Sequence, residues 1–270
     1  MGSIDDLPPF THDARAKFTT PPVPGWTFGQ KVDATLEGRE WLAGEKAGFQ
    51  VVDAATADPS RLYALMISGI IPRPIAFVSS ISETGTENLA PFSWFNMVTF
   101  DPPVVSFAVL HLPGARGFKD TLRNVMSTKE FTVNIISHAF VAGANATAVD
   151  APTEVSEWPL SGLTKEPSIK IKAARVKESA FSMECEDLQL FQSHEIVHPE
   201  TGKATTTLVL GLVKYIHVRK DVLNERGLVD PVKLNAVGRL GDITYSRQSD
   251  PFRVPRGTWA VDGAAISELQ

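Results

Sequence analysis

The sequence predicts a mainly β protein, a barrel or sandwich with peripheral helices. Three observations carry this. Short β-rich runs recur along the chain, as in Ile75–Ile81, Val104–Leu110, Phe131–Ile136 and Thr205–Val218. Pro, Gly and Asp turns separate them at short intervals, which favours antiparallel pairing. The regular strand–helix alternation of a doubly wound parallel sheet is absent.

Residues 1–57 are rich in Pro, Gly and Thr with scattered aromatics: Phe10, Phe18, Trp26, Phe28 and Trp41. The Pro21-Pro22-Val23-Pro24-Gly25 cluster cannot be helical. This segment reads as an arm packed on a core, with a short helix at roughly 34–44. Asp58-Pro59-Ser60 opens the first well-marked helix. Asp58 can cap it, and Pro59 suits the first helical position, where an N–H is not needed. Leu62, Leu65, Met66 and Gly69 follow at helical spacing. Ile71-Pro72-Arg73-Pro74 ends it, since a residue before proline is pushed to extended geometry.

Ile75 to Ile81 is a strand, and Ser82-Glu83-Thr84-Gly85 is a turn. Asn88 to Phe100 is a strand region interrupted at Pro91, which suggests a bulge or an edge. Asp101-Pro102-Pro103 turns the chain into Val104–Leu110. After a loop with Pro113, Gly114 and Gly117, Asp120 or Thr121 can cap a helix with Leu122, Val125 and Met126 on one face. Phe131–Ile136 alternates as a strand should. Ser137 caps a small-residue helix from Phe140 to about Val149. Residues 150–167 are loop-like. Ser168–Val176, Phe181–Phe191 and Thr205–Val218 read as strands, with a turn at His198-Pro199-Glu200-Thr201-Gly202. The core domain spans 58–248, and 249–270 is a tail.

The chain has 270 residues, 43% hydrophobic and 21% charged, with a formal charge of −5. That is globular and long enough for a substantial core. No basic face or arginine–aromatic repeat supports nucleic-acid binding. No apolar run approaches the length of a bilayer span, so no membrane role is expected. The N-terminus has no basic region followed by an apolar stretch, as a secretory signal would. A single cysteine, Cys185, excludes an intramolecular disulfide framework, and a cytoplasmic setting is expected.

His194-Glu195-Ile196-Val197-His198 matches the H-E-x-x-H pattern of zinc hydrolases. That chemistry needs a helix, which sets the two histidines one turn apart. Here the neighbouring sequence is strand-like, and in a strand the pair would stand about 13 Å apart. The expectation is therefore no metal site, with a zinc hydrolase through His194 and His198 as the remote alternative. No phosphate-binding G-x-x-x-x-G-K-[ST] loop, G-x-G-x-x-G fingerprint or G-x-S-x-G elbow occurs. Cys185, inside a strand, reads as a structural thiol.

Lys119-Asp120-Thr121 starts a helix, where unpaired N–H groups favour a phosphate. The same residues also read as an ordinary helix start. Arg73 is braced between two prolines. From Asn88 to Asn96, polar Ser93 and Asn96 interleave with Phe92, Trp94 and Phe95 around Pro91. That pattern reads equally as a bulged edge strand or as a surface for a planar heterocycle. His111, just after a strand, reads as a surface histidine.

The order PRPIAFVS, NLAPFSWFN, DPP, KDTLRN and EFTVNI, then GLTKEPS, MECE, LVLGLVKYIHV and GRLGDITY, resembles the flavin reductase-like family over about residues 60–245. The resemblance implies a six-stranded antiparallel split β-barrel, usually a homodimer, that binds FMN. Members use NADH or NADPH to reduce flavin, or another small-molecule electron acceptor through bound FMN. On this resemblance Ser93, Lys119 and Thr121 hold the phosphate, with Asp120 beside them. Arg73 and Ser79 lie close to the cofactor. The ring edge meets backbone around Asn88, Leu89, Ala90 and Phe92, with Phe95 and Asn96 nearby. No side chain is expected to act as acid or base, because the hydride chemistry belongs to the flavin; His111 is a candidate for the acceptor side. Two alternatives remain: a flavoprotein serving a partner oxygenase, and one acting on a specific metabolite without NAD(P)H turnover. Many relatives carry two glycines where this chain has Gly241-Asp242.

Overall fold

The computed structural model describes residues 7–11, 16–112, 117–187 and 194–269. The chain begins with helices α1 (Leu36–Ala43) and α2 (Pro59–Gly69). Strands β1 (Ala76–Ile81), β2 (Glu87–Phe92), β3 (Phe95–Phe100) and β4 (Pro103–Leu110) follow. Next come helix α3 (Asp120–Thr128), β5 (Glu130–Asn134), helices α4 (Val141–Ala146) and α5 (Trp158–Ser161), and the short strands β6 (Lys165–Glu166) and β7 (Arg175–Val176). The chain ends with β8 (Phe181–Asp187), β9 (His194–Val197), β10 (Ala204–Val218), α6 (Pro231–Leu234), β11 (Val237–Arg239), β12 (Tyr245–Arg247) and α7 (Trp259–Ser267).

It divides into two units. One runs to Tyr63 and resumes at Ser249; the other is Ala64–Gln248. In the first, Thr19 bridges to Phe252, and the Lys17 N–H donates to Asp250 Oδ1 at 2.7 Å. Thr35 caps α1 by accepting from the Gly38 N–H at 3.0 Å. None of the described residues of this unit is buried.

The second unit is built on an eight-stranded sheet in the order β2-β1-β5-β8-β10-β4-β3, with β9 also paired to β10. Every pairing in it is antiparallel. The sheet curls: Phe92 of β2 meets Phe107 of β4 with ring centroids 5.2 Å apart, although four strands separate β2 from β4 in the order. The inner face packs Val78, Phe107, Phe131, Val133, Cys185 and Val209, and Leu122 and Val125 of α3 close over it. A second cluster (Phe77, Leu89, Ile136, Trp158, Val176 and Val237) lies on the other face of β1 and β2. Because β1 is buried on both faces, Ile75–Val78 reads as a continuous apolar run, and the buried Ser79 and Ser80 follow it. This is the mainly β, antiparallel barrel with peripheral helices that the sequence predicts.

The strand count differs. The six implied strands become eight because 88–100 forms two, β2 and β3, and β9 adds a hairpin arm. The break falls at Ser93-Trp94. The Leu89 N–H points away from β1, to Glu157, and Pro91 follows on the same outward side. Proline's missing donor therefore faces the open edge, where no ladder needs it. Only Arg175–Val176 of the expected strand 168–176 pairs, with Lys165–Glu166. The Ile169 and Lys170 N–H groups go instead to the carboxylate of Glu184, at 2.7 and 2.8 Å. The last part of the expected strand 181–191 lies outside the described residues, as do Pro113 and Gly114 of the loop before α3. Among the described residues no helix is long and apolar enough to cross a membrane.

Candidate functional site

Edge strand β2 and the start of α3 together wall a cavity of about 550 Å³. Asn88, Ala90, Pro91 and Phe92 line it from β2, and Lys119, Asp120, Thr121 and Arg123 from the helix start. The segment Thr147–Thr153 and Glu157 complete the wall. The helix begins one residue earlier than expected: extended Lys119 is the N-cap, and no side chain caps the turn. Asp120 and Thr121 do not cap because they are the first two residues of the helix itself. The Asp120 carboxylate lies 3.3 Å from the Arg123 guanidinium, and the Thr121 hydroxyl donates to Asn88. The first bond across this turn runs from the Arg123 N–H to the Lys119 carbonyl, at 3.0 Å. The N–H groups before it have no acceptor within the helix.

Behind this wall lies a buried polar chain. Glu157 Oε2 accepts from the Asn88 amide at 2.7 Å and from the Leu89 N–H at 3.1 Å. Asn88 Oδ1 accepts from the Thr121 hydroxyl at 2.6 Å and from Ser80 at 3.4 Å. The Asn124 amide donates to Ser80 Oγ at 3.1 Å. Burial pushes the Glu157 pKa above the usual carboxylate range, and the charge of Asp120 adds to that. The N–H groups it accepts oppose the rise without reversing it.

Six of the residues singled out in the sequence thus share one cavity: Asn88, Ala90, Phe92, Lys119, Asp120 and Thr121. The others sit elsewhere. Arg73 is buried; it donates to Ser93 Oγ at 3.3 Å, to the Ile70 and Leu240 carbonyls at 2.8 Å each, and to the Ile67 carbonyl. It ties the end of α2 to the β2–β3 link, and neither Arg73 nor Ser93 lines the cavity. Ser79 is buried opposite Leu89, on the face of β1 away from Ser80. Phe95 packs against the barrel core. Asn96 is exposed, and its Oδ1 accepts from the Met97 N–H at 2.9 Å. His111 Nδ1 donates to the Ala204 carbonyl at 3.2 Å, and Nε2 pairs with the Thr207 hydroxyl at 2.7 Å. Its ring stands edge-on to Phe118, centroids 4.9 Å apart. His194–Val197 is strand β9 rather than a helix, and His198 Nδ1 accepts from the Glu200 N–H in the turn at 3.2 Å. Among the described residues no group of three or more His, Cys, Asp or Glu could hold a metal ion.

These features fit a flat phosphorylated ligand such as FMN. Lys119 and the free N–H groups suit an anion, while Ala90, Pro91, Phe92 and Leu112 give an apolar wall. Comparison with known proteins gives the family. The flavin reductase like domain matches residues 68–235.

The chain belongs to the flavin reductase-like family.

A relative in this family, an uncharacterised protein of Aquifex aeolicus, is 36% identical over 188 residues, covering 70% of this chain and 90% of its own. Among solved structures, nitrilotriacetate monooxygenase component B from Bacillus cereus superposes with a TM-score of 0.71 at 31% identity, over 77% of this chain and 99% of that one. A Shewanella frigidimarina structure described as a flavin reductase with a split barrel domain has a TM-score of 0.64 at 18% identity, over 78% of this chain and all (100%) of its own, and supports the fold alone. The curled sheet is thus the split barrel of the flavin reductase-like family.

Proposed function

We propose that this flavin reductase-like protein binds FMN in the cavity between β2 and α3 and works as an FMN-dependent oxidoreductase. In this reading hydride comes from NADH or NADPH and passes on to free flavin or another small-molecule acceptor. The carrying observation is the cavity itself, with Lys119 and unpaired N–H groups at the α3 start and an apolar wall along Ala90–Phe92. Family membership supports the oxidoreductase role. Bound FMN would supply the hydride chemistry; the chain's own residues bind it, orient it and exclude water. Lys119 takes the phosphate, and the backbone of β2 meets the ring. Phe95, Asn96, Arg73 and Ser93 support the strand link beside it.

The working form in this reading is a cytoplasmic homodimer. Edge strand β3 exposes Met97, Val98 and Phe100, the last 82% accessible, and such an edge needs a cover. Similarity to a monooxygenase component B favours a second reading, in which the protein serves a partner oxygenase. The test is an absorption spectrum with FMN, followed by anaerobic NADH and NADPH. Bleaching by either supports the reductase. Bound flavin inert to both supports the partner or specific-metabolite reading. Failure to take up FMN overturns all of them.

A further inference from the structure

The two ends of the chain meet in one unit, 1–63 with 249–270, which lies wholly outside the matched family domain, 68–235. The tail is fastened to the arm at two places. At the first, the Thr19 N–H donates to the Pro251 carbonyl at 2.9 Å, and Arg253 stands 5.1 Å over the Phe18 ring. At the second, Gly29 passes Leu269 and Gly257 passes Phe28. An added Cβ would stand 2.9 and 2.7 Å from those side chains. This is close packing between specific partners, unlike two loose ends. Yet the unit has no core, since none of its described residues is buried. Trp41, Phe49, Val51, Val254, Trp259 and Val261 are each more than two-thirds exposed. Fixing a chain costs entropy, and apolar burial is the main term that offsets it. Here that burial must come from outside. Three of the five tryptophans (Trp26, Trp41 and Trp259) stand in this unit, a residue type enriched where proteins grip one another. A lipid surface is a poor match, because α7 carries no Lys or Arg and α1 only Arg39.

The same chain offers a second open apolar surface. Among the described residues β3 is a margin of the sheet, with Met97, Val98 and Phe100 exposed. One chain leaves both surfaces open; two copies related by a twofold axis close both at once. The sizes agree. Trp41, Phe49 and Trp259 can bury on the order of 500 Å² between them. That is more than half of the roughly 800 Å² each partner gives to a standard interface, before the valines are counted. Resting on the homodimer reading above, we propose that the joined arm and tail form a clasp that seats on β3 of a second copy of this chain. The exchange is reciprocal, so each copy's exposed edge is covered by its partner's aromatic unit.

The experiment uses the full chain carrying the photoreactive substitution Phe49→benzoyl-phenylalanine. Nitrogen-15-labelled and unlabelled copies are mixed in equal amounts and left to exchange before illumination. Mass spectrometry should then find position 49 of one isotopic copy joined to residues 95–103 of the other. In sedimentation equilibrium, a Trp41→Ser/Phe49→Ser variant and a Phe100→Ser variant should each dissociate about tenfold more readily than wild type or more. All three positions are exposed, so the far-ultraviolet spectra should stay unchanged. Cross-links confined to single copies would seat the unit on its own chain and overturn the clasp. Cross-links between copies that avoid 95–103, or a dimer affinity untouched by either variant, would overturn it too. Each of these results leaves the homodimer reading standing. A wild-type chain that is monomeric at every concentration tried removes the homodimer reading and the clasp with it.

Discussion

Glu184 has no exposed surface, and burial alone would raise its pKa. The N–H groups of Ile169 and Lys170 at 2.7 and 2.8 Å, with His217 Nε2 at 2.7 Å, outweigh that and hold it below the usual carboxylate range. A carboxyl with a depressed folded pKa contributes stability that is complete above its unfolded value, near pH 4.3, and lost as pH falls through the folded value. Glu184→Gln should therefore destabilise the protein by roughly 3–5 kcal/mol at neutral pH and flatten the acid limb of its stability curve, read by urea titration at several pH values. Parallel acid limbs would show that this carboxylate does not matter. Beside it, burial and the charge of Glu184 push the Cys185 thiol well up, so it should react with a thiol reagent only after denaturation. At the cavity, Lys119→Ala with Thr121→Ala should weaken FMN binding by on the order of 2–4 kcal/mol; unchanged affinity in a fluorescence titration would remove both from the site. Asn88, Ala90, Phe92 and Lys119–Thr121 were named from the sequence through the family resemblance, their local patterns alone being ordinary, and they line one cavity. Glu157, Ser80 and Asn124 were not. Glu157 sits in a stretch with no periodicity, and its partnership with Asn88 exists only once α5 packs on β2.

Among the elements, β10 is the most constrained, since it pairs with β4, β8 and β9. Gly211 is buried in it, and an added Cβ would stand 2.4 Å from Phe131 Cζ and 3.2 Å from Cys185 Cβ. Gly211→Ala should cost about 1–3 kcal/mol, seen as a lowered melting temperature; no change would mean that the barrel interior yields freely there. The strands that can be read from sequence are those buried by the barrel, such as β1 and β5, whose apolar side chains mark them. Strand 168–176 misleads for a physical reason: its β-forming side chains are real, but its donors are taken by a side chain, Glu184, rather than by a neighbouring strand. The turn at Gly241-Asp242 also shows the sequence's logic. Asp242 adopts φ 54°, a left-handed backbone that glycine enters at less cost.

For the whole molecule, all of the buried apolar side chains among the described residues lie between Ile75 and Val237, and none of the described residues before Tyr63 or after Ser249 is buried. Expressed alone, residues 58–248 should therefore fold cooperatively, with one thermal transition and the far-ultraviolet spectrum of a β protein. A molten fragment would mean that the flanking segments are integral to the fold. An arm of proline and glycine with scattered aromatics was readable in the composition. The route of the sheet was not, because strand order depends on pairings far apart in the chain. Its two margins, β2 and β3, are joined by only Ser93 and Trp94. So short a tether brings the margins together at little cost in chain entropy. In the proposed reading, flavin seated against β2 and the start of α3 acts as a rivet beside that tether. The melting point would then report occupancy directly, rising with flavin concentration by the equivalent of about 2.7 kcal/mol at a hundredfold excess over Kd.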